Sequence, residues 1–169
     1  STAPIHRAED LYTLTDNIFA SIIVERGNIT INGNGFAVQG DGTGWGFDLS
    51  TEDNVTVKNT IVIGFDAGIY LNHSNRITLS NNVVSSNKRY GIRCWDSSSN
   101  VLSNNTLTDN MWTINLGFCF NSLLVGNILE DNYMGCWLCY CTNNLILGNT
   151  FINNNYGIYL KYSLNNLIY

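Results

Sequence analysis

Charge is what this sequence has least of. Only 12% of its 169 residues are Asp, Glu, Lys or Arg, about half of what an ordinary soluble domain carries. The 8 Lys and Arg form no cluster and the net charge is −5. A nucleic-acid binder needs a basic patch to meet phosphates, so that class is excluded. There is one proline, and the two histidines, His6 and His73, lie far apart. No apolar run approaches the roughly 20 residues of a membrane-spanning helix. No signal-peptide pattern opens the chain either, so an exported form is expected to begin at or after a processing site.

What the chain has in excess is asparagine, with 27 residues. Asn59, Asn82, Asn105, Asn127 and Asn149 recur at intervals of 23, 23, 22 and 22 residues. A fixed period in this range is the mark of a solenoid. In this register three apolar columns emerge. They are Ile61, Val84, Leu107, Leu129, Phe151; then Ile69, Ile92, Ile114, Cys136, Ile158; and Leu71, Cys94, Leu116, Leu138, Leu160. Neighbours two apart share a face, as strands require. No stretch has a helical period, and asparagine is a poor helix former.

The expected fold is therefore all-β: a right-handed parallel β-helix (a β-solenoid) of about six coils, three short strands to a coil, rungs about 4.8 Å apart. Residues 1–26 fall outside the repeat and read as an N-terminal cap over residues 27–169. Asparagine suits a corner because it tolerates left-handed backbone and its amide can bond the same amide one rung away. The five ladder asparagines are thus assigned to structure. A second corner column is Gly64, Asn87, Asn110, Asn132 and Asn154.

The motif Asn149-Thr-Phe-Ile-Asn-Asn-Asn-Tyr-Gly-Ile-Tyr-Leu160, with Asn54-Val-Thr-Val-Lys-Asn59, resembles the repeats of the NosD-like, pectin-lyase-like β-helix superfamily. The opening through Ile29-Thr-Ile-Asn-Gly-Asn-Gly35 is similar to secreted or surface-displayed members. That resemblance implies the β-helix fold and an extracellular or cell-surface location. Its functional residues do not carry over. Copper handling wants clustered His and Met, the lyases want calcium-binding carboxylates beside a basic residue, and the hydrolases want a tight set of Asp.

Several site candidates follow from the register. Asp109 and Asp131 stack on neighbouring rungs, as a calcium-binding or acid/base pair or as two solvated turn residues. Outward columns carry Tyr70, Trp95, Phe118, Trp137, Tyr140, Tyr159 and Tyr162, a surface for sugar faces or for another subunit. Cys119 and Cys141 stack 22 apart, as a rung-to-rung disulfide or a reduced pair. Cys136-x-x-Cys139-x-Cys141 does not converge for a metal in this register. N-glycosylation sequons stand at Asn28, Asn54, Asn72 and Asn104. The rung ending at Tyr169 has no cap, which invites association with further copies.

Two functions compete. One is a non-catalytic extracellular interaction solenoid that self-associates end to end or laterally as a filament or layer. The other is a protein that binds or cleaves polysaccharide. No cofactor is required, calcium excepted for the Asp109/Asp131 pair.

Overall fold

The computed structural model describes residues 3–169, and among them no helix forms. Short strands build three sheets of nine, six and seven members. Sheet 1 runs from Ile5–Ala8 to Leu167–Ile168, and sheet 2 from Ala37–Gln39 to Thr150–Ile152. Sheet 3 supplies the rungs used below: Ile22–Ile23, Trp45–Asp48, Ala67–Asn72, Tyr90–Trp95, Trp112–Gly117, Met134–Cys139 and Tyr156–Lys161. All pairings between successive turns are parallel. The fold is the expected β-solenoid, with seven turns in place of six.

The additional turn comes from the segment read as a cap. Leu11–Leu14 pairs in parallel with Ile29–Asn32, and Ile22–Ile23 with Trp45–Asp48. Residues 11–26 therefore form the first turn. Only Ile5–Ala8, antiparallel to Leu11–Leu14, covers the edge of sheet 1. Asn17 does a ladder residue's work there by accepting from the Ala37 N–H at 2.8 Å.

Inside, the two sheet-3 columns match the expectation: Ile69, Ile92, Ile114, Cys136 and Leu71, Cys94, Leu116, Leu138 are all buried. The third needs correction. Val62, not Ile61, pairs with Val84 and is buried, while Ile61 pairs with Val83 on the outside. A one-residue slip moves a side chain to the other face.

The ladder shifts in the same way. Its first member is Thr60, whose N–H donates to Asn82 Oδ1 at 3.1 Å. Asn59 stands one place earlier, exposed at φ 53°, bonded to Asn32 at 3.1 Å. The second column begins likewise at Phe65, not Gly64, with the Phe65 N–H on Asn87 Oδ1 at 3.0 Å. The two duties expected of one corner asparagine are divided between neighbours. Asn81 and Asn104 take the left-handed bend at φ 54°, while buried Asn82 and Asn105 make the cross-rung bonds.

From Val55 onward the steps between coils are 22 or 23 residues, and one local insertion makes the difference. Phe65 stacks on Asn87, a step of 22, but Ala67 pairs with Tyr90, a step of 23. The additional residue enters at Lys88–Arg89, where the Arg89 and Tyr90 N–H groups both donate to the Asp66 carbonyl at 2.9 and 3.0 Å. This is a bulge, and bulges re-aim the strand that follows. Here that strand carries Tyr90, Arg93 and Trp95.

Candidate functional site: the outer face of sheet 3

In the sheet-3 strands the fourth residue and the first, three places before it, define two columns on the outer side, because the two residues between them turn inward, as buried Thr113 and Ile114 do. The central outward column is Asp48, Tyr70, Arg93, Asn115, Trp137 and Tyr159. Beside it run Trp45, Ala67, Tyr90, Trp112, Met134 and Tyr156. The rings meet from rung to rung. Trp45 stacks on Tyr70 at 4.5 Å and Trp112 lies 4.7 Å from Trp137. Tyr133 meets Tyr156 edge-on at 5.6 Å. An open groove of about 500 Å³ runs among Met111, Trp112, Tyr133, Trp137, Tyr156 and Tyr159.

The expected aromatics thus separate into two groups. Tyr70, Trp137 and Tyr159 belong to this face. Trp95, Phe118, Tyr140 and Tyr162 form a continuous stack down the adjoining corner, with ring centroids 5.2, 5.0 and 5.0 Å apart. Phe118, Tyr140 and Tyr162 sit at φ 52–54°, a conformation bulky residues rarely take. The ring stacking compensates for that strain. Trp95 lies flat over Gly117, where a Cβ would come within 2.3 Å of the indole. The expectation did not include Trp45, Tyr90, Trp112, Tyr133 or Tyr156. The signal for four of them was their place just before the Gly or Thr that precedes the inward column-former of each rung, or one rung position earlier for Tyr133.

At the centre of the face lies Arg93. Its guanidinium carbon is 5.0 Å from the Tyr90 ring, 5.6 Å from Tyr70 and 5.6 Å from Trp95, within range of cation–π attraction. Among the described residues the ion pairs are Arg26–Asp10, His73–Asp96, Arg76–Asp53 and Arg89–Asp66, and Arg93 is in none. The Arg89 guanidinium hydrogen-bonded to Asp66 holds that carboxyl below the usual range. Asp66 is thus already engaged beside Arg93.

Three successive members of the central column keep an unpaired N–H donor. Arg93 Nε, Asn115 Nδ2 and Trp137 Nε1 are each buried and without a partner. Asn115 is 2% exposed although its register turns it outward, between buried Ile114 and Leu116. Buried polar groups are paired in the great majority of cases, so three in a row need an explanation.

The remaining candidates lie elsewhere. Asp109 and Asp131 are exposed left-handed turn residues at φ 54° and 55° on successive rungs. No group of three or more metal-binding side chains occurs among the described residues. Cys119 and Cys141 are free thiols, as are Cys94, Cys136 and Cys139. The two occupy a serine column with Ser74, Ser97 and Ser163, where each donates to a carbonyl as serine would: Cys119 to Cys94 O and Cys141 to Leu116 O, both at 3.4 Å. Contact with Cys119 and then burial push the Cys141 thiol up, and burial followed by the nearby Cys141 does so for Cys136. Asn28, Asn54 and Asn104 are exposed, with Asn54 Nδ2 donating to Asn28 Oδ1 at 2.9 Å. Asn72 is half-buried at the end of its strand. In the last rung Leu160 and Ile168 are 40% and 45% exposed.

The family model described as periplasmic copper-binding protein (NosD) matches residues 15–169. Among solved structures, an alginate lyase from Paenibacillus sp. str. FPU-7 aligns with 13% identity and a TM-score of 0.43, over 90% of this chain and 91% of that one. No curated protein matches the sequence. The residues here do not fit a copper ion. Its soft ligands are thiolate, thioether and imidazole. Four of the five cysteines are sealed in the core, His73 pairs with Asp96 at 3.0 Å, and no third ligand joins any pair.

Proposed function

The chain belongs to the NosD family, and on that premise we propose that it is an exported, non-catalytic β-solenoid that binds an extended glycan along the outer face of sheet 3. The observation that carries this reading is the row of Trp and Tyr rings repeated rung after rung. Flat amphipathic rings bury the apolar faces of sugars while their polar edges stay wet. A row that repeats at the rung spacing suits a ligand that itself repeats, a linear polymer rather than an irregular protein surface. The family's periplasmic description supports export. The exposed Asp109 and Asp131 lie at a different corner from the rings, which supports binding without cleavage.

Affinity electrophoresis through gels cast with neutral or acidic polysaccharides tests the proposal. At least one polymer retards the native protein, and Trp137→Ala with Tyr159→Ala abolishes the retardation. The same polymers show no release of reducing ends. Absence of retardation across the panel, or chain cleavage, overturns it. So does concentration-dependent self-association in analytical ultracentrifugation that is lost in the same double variant, since the face then belongs to a second copy.

A further inference from the structure

We propose that the outer face of sheet 1, from the rung of Val101 to that of Leu147, is the docking surface for a second copy of this chain, paired in a closed two-fold dimer. This is a different sheet from the ringed one, and the inference does not depend on the glycan reading.

Three observations converge. The first is a change of character along one face. In the three-residue strands of sheet 1 the middle residue points into the core, as buried Leu79, Leu102, Leu124 and Ile146 do, and its two neighbours point out. The leading outward column reads Thr30, Thr56, Thr78 and then Val101, Leu123, Leu145. The trailing one reads Asn32, Lys58, Ser80, Ser103 and then Val125, Leu147. The turn that leads into the sheet changes with them. Asn75 and Ser98 give way to Phe120 in one bridged column, and His73 and Asp96 give way to Phe118 and Tyr140 at the corner. Phe118, Phe120, Tyr140 and Leu147 are exposed. Four columns thus turn apolar within two successive rungs. Contiguous apolar surface of this kind marks an interaction site.

The second is charge. After Asp96 the charged side chains are Asp109, Glu130, Asp131 and Lys161, and all four sit on or beside strands of sheets 2 and 3. Sheet 1 carries no charged side chain from Val101 onward. A chain of net charge −5 repels its own copies over much of its surface, and on this face two copies meet without that repulsion. Interfacial lipid binding draws on Lys and Arg around the apolar residues, and the apolar stretch has neither. A second copy therefore fits the face better than a membrane.

The third is geometry. Sheets pack face to face about 10 Å apart through aliphatic side chains such as these. The apolar stretch occupies one end of the sheet and the Thr, Ser and Lys stretch the other. Two copies with antiparallel axes bring apolar to apolar, and their polar ends project past each other into water. Leu123 lies near the middle of the apolar stretch and so near the two-fold. The same patch serves both copies, and the contact closes at two.

Sedimentation equilibrium is run on the native protein, Leu123→Glu, Leu147→Glu and, as a control in the same outward column as Leu123, Thr56→Glu. Circular dichroism and thermal unfolding confirm that each variant folds. The native protein is expected to show a monomer–dimer equilibrium with no larger species. Leu123→Glu and Leu147→Glu bring like charges into the contact, and each weakens it by about a hundredfold or more. Thr56→Glu leaves it unchanged. Leu147 is already exposed, so its variant carries the test if Leu123→Glu does not fold. Trp137→Ala with Tyr159→Ala keeps the dimer, which separates this contact from the ringed face. A monomer at every concentration, a dimer untouched by Leu147→Glu, equal loss in Thr56→Glu, or an open series of larger oligomers overturns the inference. So does flotation of the native protein with phosphatidylcholine vesicles that is lost in Leu147→Glu, since a lipid surface then covers the face.

Discussion

Asn105 and Asn115 are the same residue type, ten positions apart, 1% and 2% exposed. Asn105 sits in the corner ladder and all its polar atoms are used. Its Oδ1 accepts from the Asn82 N–H and Nδ2 at 3.0 and 3.1 Å, and its Nδ2 donates to Leu79 O and Asn127 Oδ1, both at 2.9 Å. Asn115 lies on the outer face of sheet 3 and its Nδ2 has no partner. Equal burial therefore hides opposite hydrogen-bond accounting. The paired column holds the fold together, and the unpaired one lacks the hydrogen bonds to do so.

The sharpest way to break this contrast is substitution at the two sites. Asn105→Ala orphans donors and acceptors on both adjacent rungs and is expected to cost about 2–4 kcal/mol, read as a lower denaturation midpoint with unchanged m-value. Asn115→Leu is expected to do the reverse. Deleting an unsatisfied amide under the rings raises stability by about 1 kcal/mol, and a loss matching that of Asn105→Ala would show that Asn115 is structural after all. Cys119→Ser places a hydroxyl in a column already made of serines and shifts stability by less than about 1 kcal/mol. The melting temperature of the native protein is then the same with and without reductant, whereas a reductant-sensitive melt would indicate a disulfide. The smallest effect is expected for Asn59→Gly, within about 0.5 kcal/mol. Glycine accepts the bend at φ 53°, and only one exposed hydrogen bond to Asn32 is lost.

The solenoid was legible because its interior repeats. The Gly-Ile-Tyr-Leu and Gly-Ile-Arg-Cys stretches at 68–71 and 91–94 anchor sheet 3 without ambiguity. The ladder was harder to place because two of its rungs are doublets, Asn81-Asn82 and Asn104-Asn105. Spacing alone cannot say which member turns inward. Where the ladder begins with Thr60, a search for asparagine lands on Asn59. The single inserted residue at Lys88–Arg89 compounds the slip, since a strict period assigns the longer coil to the wrong turn. The outer rings were partly visible as columns. The burial of Asn115 was not, because it depends on side chains from neighbouring rungs closing over an outward position. The first turn was read as a cap because Leu11–Leu14 and Ile22–Ile23 lack the asparagine signature that marks later coils.

The chain crosses the solenoid axis at every strand, while the asparagine and serine ladders run along it. The material is therefore mechanically anisotropic. Tension across a turn is carried by covalent backbone. Tension along the axis is carried by hydrogen bonds and by the apolar contacts between rungs, loaded one interface at a time. A pull on the ends peels turns in sequence and gives a train of small, evenly spaced force events. A grip on the outer face of sheet 3 spreads the load over several turns at once. A long ligand lying across these rungs would act as a splint, and the axis along which the protein is weakest is the one along which its row of rings runs.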